Sequence, residues 1–245
     1  MSDPISLPVA AVFLLAGMVK GMTGLGLPTV AMGLLGLMMP PAQAAALVTL
    51  PSLTTNVWQM IGGPSLRLLL RRMWPMQAGV CLGTVAGAGL LAQSEAGTVA
   101  LGLALAAYAV VGLSSLGLPV TSARAERWLG PAIGAATGLV TAVTGVFVIP
   151  AVPYLQSLRL ERDVMVQALG LSFTVSTLAL ASVLVMNGVL DIGAASGSML
   201  ALLPALVGMG LGQGLRRALS PVVFRRCFFI GLLLLGSWLG LRSLC

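Results

Sequence analysis

The chain has 245 residues, of which 58% are hydrophobic and only 8% are charged, and its mean hydropathy is +1.05. A water-soluble globular protein could not cover its surface with so few charged residues, so the composition predicts a polytopic membrane protein. The net charge of +7 does not indicate nucleic-acid binding, because the basic residues are dispersed among apolar segments and form no basic stripe or tail.

The first half of the chain contains five hydrophobic segments, which we predict to be helices. Four of them, at residues 4–22, 43–62, 75–92 and 97–117, approach the roughly 20 residues that a helix needs to cross a bilayer. The remaining segment, at residues 27–39, is too short to cross comfortably.

The second half, after Trp128, repeats this series. Segments 164–186, 193–213 and 227–241 approach the length of a membrane span, and segment 146–155 is again too short. Each half therefore has an interrupted hydrophobic segment at the same place in its series.

An internal repeat of about 121 residues underlies this likeness. The matched positions carry the same residue type at that spacing: Gly17 and Gly138, Thr23 and Thr144, Gly24 and Gly145. Repeats of this length in an apolar chain predict a transporter that is built from two halves, with its binding site where the halves meet.

An odd number of segments in each half predicts that the second half has inverted topology. We predict an all-α fold with a first transmembrane repeat at residues 1–118, a cytoplasmic linker at 119–127 and a second, inverted repeat at 128–245. Lysine and arginine favour cytoplasmic loops. With the amino terminus outside, only Arg242 of the 13 basic residues falls on the outer side.

Each half also carries a Gly- and Thr-rich interruption that is followed by a proline. Gly and Pro interrupt helical hydrogen bonding, and free backbone groups at membrane depth must face protein, water or ligand. The resuming helix offers free amides and a positive dipole end, which suit an anion. Gly24, Gly26 and Gly145 are therefore candidate substrate-binding positions, although such glycines also permit close helix packing.

Lys20 lies in apolar sequence just before the first interruption, and an ionisable residue within a span is a candidate functional residue. We expect Lys20 to attract an anion and Thr23 and Thr144 to donate hydrogen bonds to it. Thr141 occupies the place of Lys20 in the second half, so the predicted site is chemically asymmetric. The alternative for Lys20 is that its side chain extends to the cytoplasmic surface.

Polar residues also occur in the third segment of each half. Thr55, Asn56 and Ser176 are candidate neutral ligands of an oxyanion, and Asn56 has the most hydrogen-bonding groups to satisfy. The alternative is that the hydroxyl groups bond back to their own helices.

Several chemistries lack the residues they need. The chain has no histidine, and no acidic residue lies well inside a predicted span, which argues against proton relays and hard-cation sites. We expect no cofactor, no metal site and no enzymatic activity, because no acid, base, nucleophile or metal cluster is visible inside the spans.

The chain resembles the TauE/SafE family of sulfite and organosulfonate exporters. Four stretches carry the resemblance: residues 17–28 (GMVKGMTGLGLP), 138–145 (GLVTAVTG), 203–212 (LPALVGMGLG) and 235–237 (LGS). The resemblance implies a multi-pass protein of the bacterial inner membrane that exports sulfite, an organosulfonate or a related carboxylate from the cytoplasm.

The expected partners are a small anionic substrate and the lipid bilayer, with no nucleic acid. Gly-rich helix faces are compatible with a homodimer, but they serve packing within one chain equally well. Two other functions stay open: an anion importer or channel of the same fold, and a non-transporting membrane scaffold or assembly protein.

Overall fold

The computed structural model describes residues 6–88, 94–114, 122–215 and 220–242, and all the regular secondary structure in these ranges is α-helical. The all-α prediction is therefore confirmed. The helices of these ranges, in chain order, are α1 (Leu7–Thr23), α2 (Leu27–Leu35), α3 (Pro41–Ile61), α4 (Leu66–Ala86), α5 (Ser94–Leu113), α6 (Ala123–Thr144), α7 (Ala151–Ser157), α8 (Arg162–Met186), α9 (Ile192–Leu215) and α10 (Pro221–Arg242).

Several helix boundaries differ from the sequence-based prediction. Residues 63–74 fall between the predicted segments 43–62 and 75–92, but Arg67, Arg71 and Arg72 of this stretch lie in the first two turns of α4. The predicted linker 119–127 is partly helical, because Ser122 caps α6 by accepting a hydrogen bond from the amide of Ala125 at 3.2 Å. Asp3, the first residues of that linker (119–121), Arg216 and Arg217 lie outside the described residues.

The two short segments form shorter helices than predicted. Segment 27–39 is α-helical only as far as Leu35, and residues 146–150 of segment 146–155 are not helical. Proline explains the second difference, because Pro150 disfavours helical geometry in the residue before it and has no N–H to donate. Both helices nevertheless follow directly after the Gly- and Thr-rich interruptions.

Glycines hold two helix pairs in close contact. At Gly17 and Gly21 of α1, an added Cβ would lie 2.1 Å from the carbonyl oxygens of Ala205 and Met209 in α9. At Gly138 of α6, it would lie 2.2 Å from the carbonyl oxygen of Val80 in α4. Helix α1 therefore packs on α9, and α4 on α6, as closely as two backbones can approach.

Helices α3 and α8 pack against each other and connect these pairs, with α3 also on α9 and α8 also on α4. Pro51 inside α3 has no N–H, so it leaves the carbonyl of Leu47 without its helical donor. Ser198 of α9 donates to that oxygen at 2.8 Å and accepts from the amide of Leu50 at 3.0 Å. Ser198, in the second half of the chain, thus supplies the hydrogen-bond donor that Pro51 lacks in a helix of the first half.

The outer faces of the bundle are apolar, with exposed leucines such as Leu82, Leu203 and Leu234. By length and composition, three of the described helices could each cross a membrane: Arg162–Met186, Ile192–Leu215 and Val222–Arg242. Exposed apolar surface on this scale matches a lipid environment, since water would disfavour it.

Candidate functional site

A cavity of about 1360 Å³ opens at one end of the helix bundle. Its walls come from the carboxyl ends of α1, α3, α5 and α9, from the amino ends of α8 and α10, and from residues in and after α7. Four basic residues and one acidic residue, Asp163, line the cavity; the basic residues are Lys20, Arg159, Arg162 and Arg225. This balance of charge suits an anion.

Lys20 lies at the deep end of this cavity and is 2% exposed. Its ammonium group donates a hydrogen bond to Oδ1 of Asn56. The amide of Asn56 in turn donates to Oγ1 of Thr177 at 3.4 Å, and Thr177 donates to the carbonyl of Phe173 at 2.7 Å. Because Asn56 is fully buried and bonded on both sides, its amide is held in one orientation.

The first chain interruption follows Lys20 directly. Gly24 ends α1 in the left-handed conformation, with φ at 76°, and its amide donates to the carbonyl of Lys20 at 2.7 Å. Thr23 closes the turn, since Oγ1 accepts from the amide of Leu25 at 3.0 Å and lies 2.8 Å from the carbonyl of Val19. The single hydroxyl proton is engaged there, so in this arrangement Thr23 has none left for a ligand.

Gln59 of α3 fastens the interruption to the cavity wall. Its Nε2 donates to the carbonyl of Gly24 at 2.7 Å, while its Oε1 is buried and has no partner in the ranges that the structure describes. Gln59 is not among the candidate residues named from the sequence, although its spacing from Asn56 puts both on one face of the helix.

The second interruption repeats this backbone in different surroundings. Gly145 ends α6 with φ at 69° and donates to the carbonyl of Thr141 at 2.8 Å. Thr144 again accepts from the amide two residues later, that of Val146, at 3.1 Å. The hydroxyl protons of Thr144 and Thr141 go to helix carbonyls one turn earlier, at 2.7 Å each.

The two interruptions lie near opposite ends of α3. Gly24 contacts Gln59, whereas an added Cβ on Gly145 would lie 3.5 Å from the Cβ of Ala45. Fourteen residues of helix separate these contacts, or about 21 Å at the rise of an α-helix. The cavity reaches Thr23 and Gly24 but not Thr144 and Gly145, so the structure does not bring the two interruptions together in one site.

The other predicted residues lie around the cavity without lining it. Gly26 packs near Val19 and Phe228, with φ at 96°. Thr55 donates to the carbonyl of Pro51 at 2.7 Å, as the alternative of back-bonding predicted. The hydroxyl of Ser176 is buried, and no residue within the described part of the chain forms a hydrogen bond with it.

Sequence reasoning missed most of the cavity wall. Arg159, Arg162 and Arg225 were read only as markers of cytoplasmic loops, because nothing in their spacing brings them together. An aromatic wall from α10 was also missed: Phe224 stacks on Phe228 at a centroid distance of 6.4 Å, and Phe229 lies edge-on to a partner in α5.

Comparison with known proteins identifies one family. The model described as "Sulfite exporter TauE/SafE" matches residues 9–239, nearly the whole chain. Neither the curated proteins nor the solved structures gave a match.

Proposed function

The chain belongs to the sulfite exporter TauE/SafE family and is therefore of transporter type, and from that premise we propose that it exports a small anion from the cytoplasm. The proposed substrates are sulfite, an organosulfonate or a related carboxylate. The family resemblance in the sequence motifs is confirmed by the family match; the substrate and the direction are our proposals.

One observation carries the proposal: a cavity lined by three arginines ends at a buried lysine. The arginines would raise the local concentration of anions near the opening. Lys20 would then bind the anion directly, since a desolvated ammonium interacts far more strongly with an opposite charge than an exposed one. Asn56 holds the ammonium in place when no anion is present.

The roles of the two threonines are narrower than the sequence suggested. We propose that Thr23 and Thr144 shape the chain interruptions and that Gly24 and Gly145 supply the left-handed turns. Gly26, Thr55 and Thr141 would support these turns and the neighbouring helix without touching the anion.

The inverted repeat is also part of the proposal. Helix α1 packs on α9 and α4 packs on α6, and these pairs exchange under a 121-residue shift. Asn56 contacts Thr177, which the sequence repeat pairs with the neighbouring Thr55, 122 residues earlier. Both facts support a two-fold axis in the membrane plane that relates residues 1–118 to residues 128–245, joined by the linker 119–127.

We place the opening of the cavity in the cytoplasm and the amino terminus outside. Arg72, Arg159 and Arg225 lie at the same end of the bundle as the opening, and basic residues favour the cytoplasmic side. In a bacterial inner membrane, an inside-negative potential drives each negative charge outward by about 2.3 kcal/mol per 100 mV. Export then needs neither a nucleotide nor a proton relay.

Binding is the first test. We expect sulfite or sulfoacetate, and not sodium chloride at equal ionic strength, to raise the melting temperature of the purified protein, because a ligand that binds only the folded state stabilises it. Arg225→Gln should weaken this shift, whereas Arg226→Gln should not, because Arg226 does not line the cavity. Equal shifts in wild type and Lys20→Met would contradict a site at Lys20.

Transport into and out of proteoliposomes separates the related functions. An exporter should lose trapped sulfite faster when the compartment facing the cavity is negative. In a channel, unlabelled sulfite on the far side would not accelerate the efflux of labelled sulfite. A scaffold would neither bind nor transport sulfite.

A further inference from the structure

Three buried serines in the two central helices have no hydrogen-bond partner among the described residues. Ser52 of α3 is 1% exposed, and Ser172 and Ser176 of α8 are fully buried. The buried threonines of the same helices behave differently, for each donates to a carbonyl of its own helix: Thr49, Thr55, Thr174 and Thr177. The unpartnered state is thus a property of these three serines and not of buried hydroxyl groups in these helices generally.

A buried hydroxyl without a partner is costly, so a stable fold usually removes it. The serines could be replaced by alanine at no loss of packing if they served the fold alone. Each unpartnered hydroxyl needs an explanation, and a ligand that enters during transport is one.

Ser52 and Ser176 lie on helix faces that continue from the cavity. Ser52 is seven residues from Gln59, and Ser176 is seven residues from Leu169; Gln59 and Leu169 both line the cavity. Seven residues are two helical turns, which return a side chain to nearly the same face about 10 Å further along. Each serine therefore lies about two turns beyond the wall of the cavity.

The hydrogen bonds of Lys20, Asn56 and Thr177 lie at the level of Ser176 and separate the cavity from Ser52. Asn56 is one turn from Ser52 on α3, and Thr177 directly follows Ser176 on α8. In this structure the chain of hydrogen bonds marks the deep end of the cavity.

We propose that Ser52 and Ser176 form a second, deeper position for the transported oxyanion, which becomes accessible when the Lys20–Asn56 hydrogen bond parts. The inference rests on the proposed function. Neutral hydroxyl donors suit sulfonate, sulfite or carboxylate oxygens, and they bind more weakly than an ammonium. The anion would therefore pass from a cationic position to a neutral one, from which release is easier.

The test separates binding from transport. Ser52→Ala and Ser176→Ala should bind sulfite within about twofold of wild type in a melting-temperature titration, because Lys20 is intact. Both variants should be at least as heat-stable as wild type, since each loses an unpartnered polar group. Sulfite efflux from proteoliposomes should nevertheless fall about tenfold, a loss expected of a missing donor in the path.

The matched control is Ser182→Ala in the same helix. Ser182 is exposed, and its hydroxyl donates to the carbonyl of Leu178 at 2.9 Å, so this variant should transport as wild type does. Ser52→Cys replaces the hydroxyl with a slightly larger thiol, which is a weak donor, and it should reproduce the efflux loss even if an alanine variant expresses poorly.

If Ser52→Ala, Ser176→Ala and Ser52→Cys all show the efflux rate of Ser182→Ala, the second position is refuted. Loss of binding and efflux in equal proportion would also overturn it, because the serines would then belong to the Lys20 position. If the wild-type protein binds neither sulfite nor sulfoacetate, that result would instead contradict the proposed function itself.

Discussion

At the first interruption Gly24 opens onto a charged cavity, whereas at the second Gly145 packs against Met32 and Ala45. The backbones of the two turns are nearly the same, with φ at 76° and 69° and a glycine amide bonded to a carbonyl four residues earlier. The residue that supplies that carbonyl is Lys20 in one half and Thr141 in the other. The repeat therefore specifies a turn twice, but it places a charge beside only one copy.

Replacing Lys20 and Thr141, whose carbonyls close the two turns, should give the largest difference between the two halves. We expect Lys20→Met to lower sulfite efflux by about 100-fold, equivalent to ~2.7 kcal/mol, because the buried cation is lost. Thr141→Val should stay within about twofold, since its hydroxyl bonds only to its own helix. Proteoliposome efflux measures both, and equal losses would refute the asymmetry.

The glycines of the helix pairs should instead behave alike in the two halves. In Gly17→Ala and Gly138→Ala, the new Cβ would meet carbonyl oxygens at 2.1 and 2.2 Å, so each pair of helices must separate. We expect each variant to lose about 1–3 kcal/mol of stability. Thermal unfolding in one detergent would measure this loss, and a large effect at one glycine only would contradict equivalent packing.

Alanine at the glycine of either turn should destabilise the protein, but by different amounts in the two halves. Both adopt a left-handed conformation that costs alanine about 1–2 kcal/mol. Gly145→Ala also places its Cβ 2.7 Å from Cε of Met32, whereas Gly24→Ala meets only the amide of Gln59 at 3.3 Å. The melting temperature should fall more for Gly145→Ala. A larger fall for Gly24→Ala would contradict this prediction, because it would mean that the second turn can accommodate a Cβ beside Met32.

The smallest effect concerns the opening of the cavity. Arg225 lines it and donates to the carbonyl of Gly112 at 3.0 Å, while the adjacent Arg226 does not line it. We expect Arg225→Gln to raise the half-saturating sulfite concentration about threefold at low salt, with little change at 0.5 M salt, where screening is strong. Arg226→Gln should change neither value.

The sequence was sufficient to predict the helices and both turns, because each depends on local composition and period; the roles of Lys20 and Asn56 stay predictions. It was not sufficient to predict that the two turns contact α3 at positions about 21 Å apart along the helix. Under the proposed two-fold axis, a point at one depth maps to the same distance on the other side of the membrane midplane. Equivalent turns therefore meet only if they lie at that midplane.

The cavity wall could not be predicted for a different reason. Arg159 and Arg225 come from the ends of different helices. Gln59 is distinguished by the hydrogen bond that its amide donates to the carbonyl of Gly24. These contacts depend on how α10 and α7 pack, which neither the repeat nor the hydrophobic pattern specifies.

The contact between Asn56 and Thr177 has a consequence for the origin of the protein. Under the proposed two-fold axis, an ancestor assembled from two copies of one shorter chain would have had this stretch of helix facing its own duplicate, so every mutation would have altered both sides of the contact at once. Fusion of the copies into one gene would let the two sides differ, with an amide on one side and a hydroxyl on the other. Only after that divergence could one side be adapted to hold a lysine.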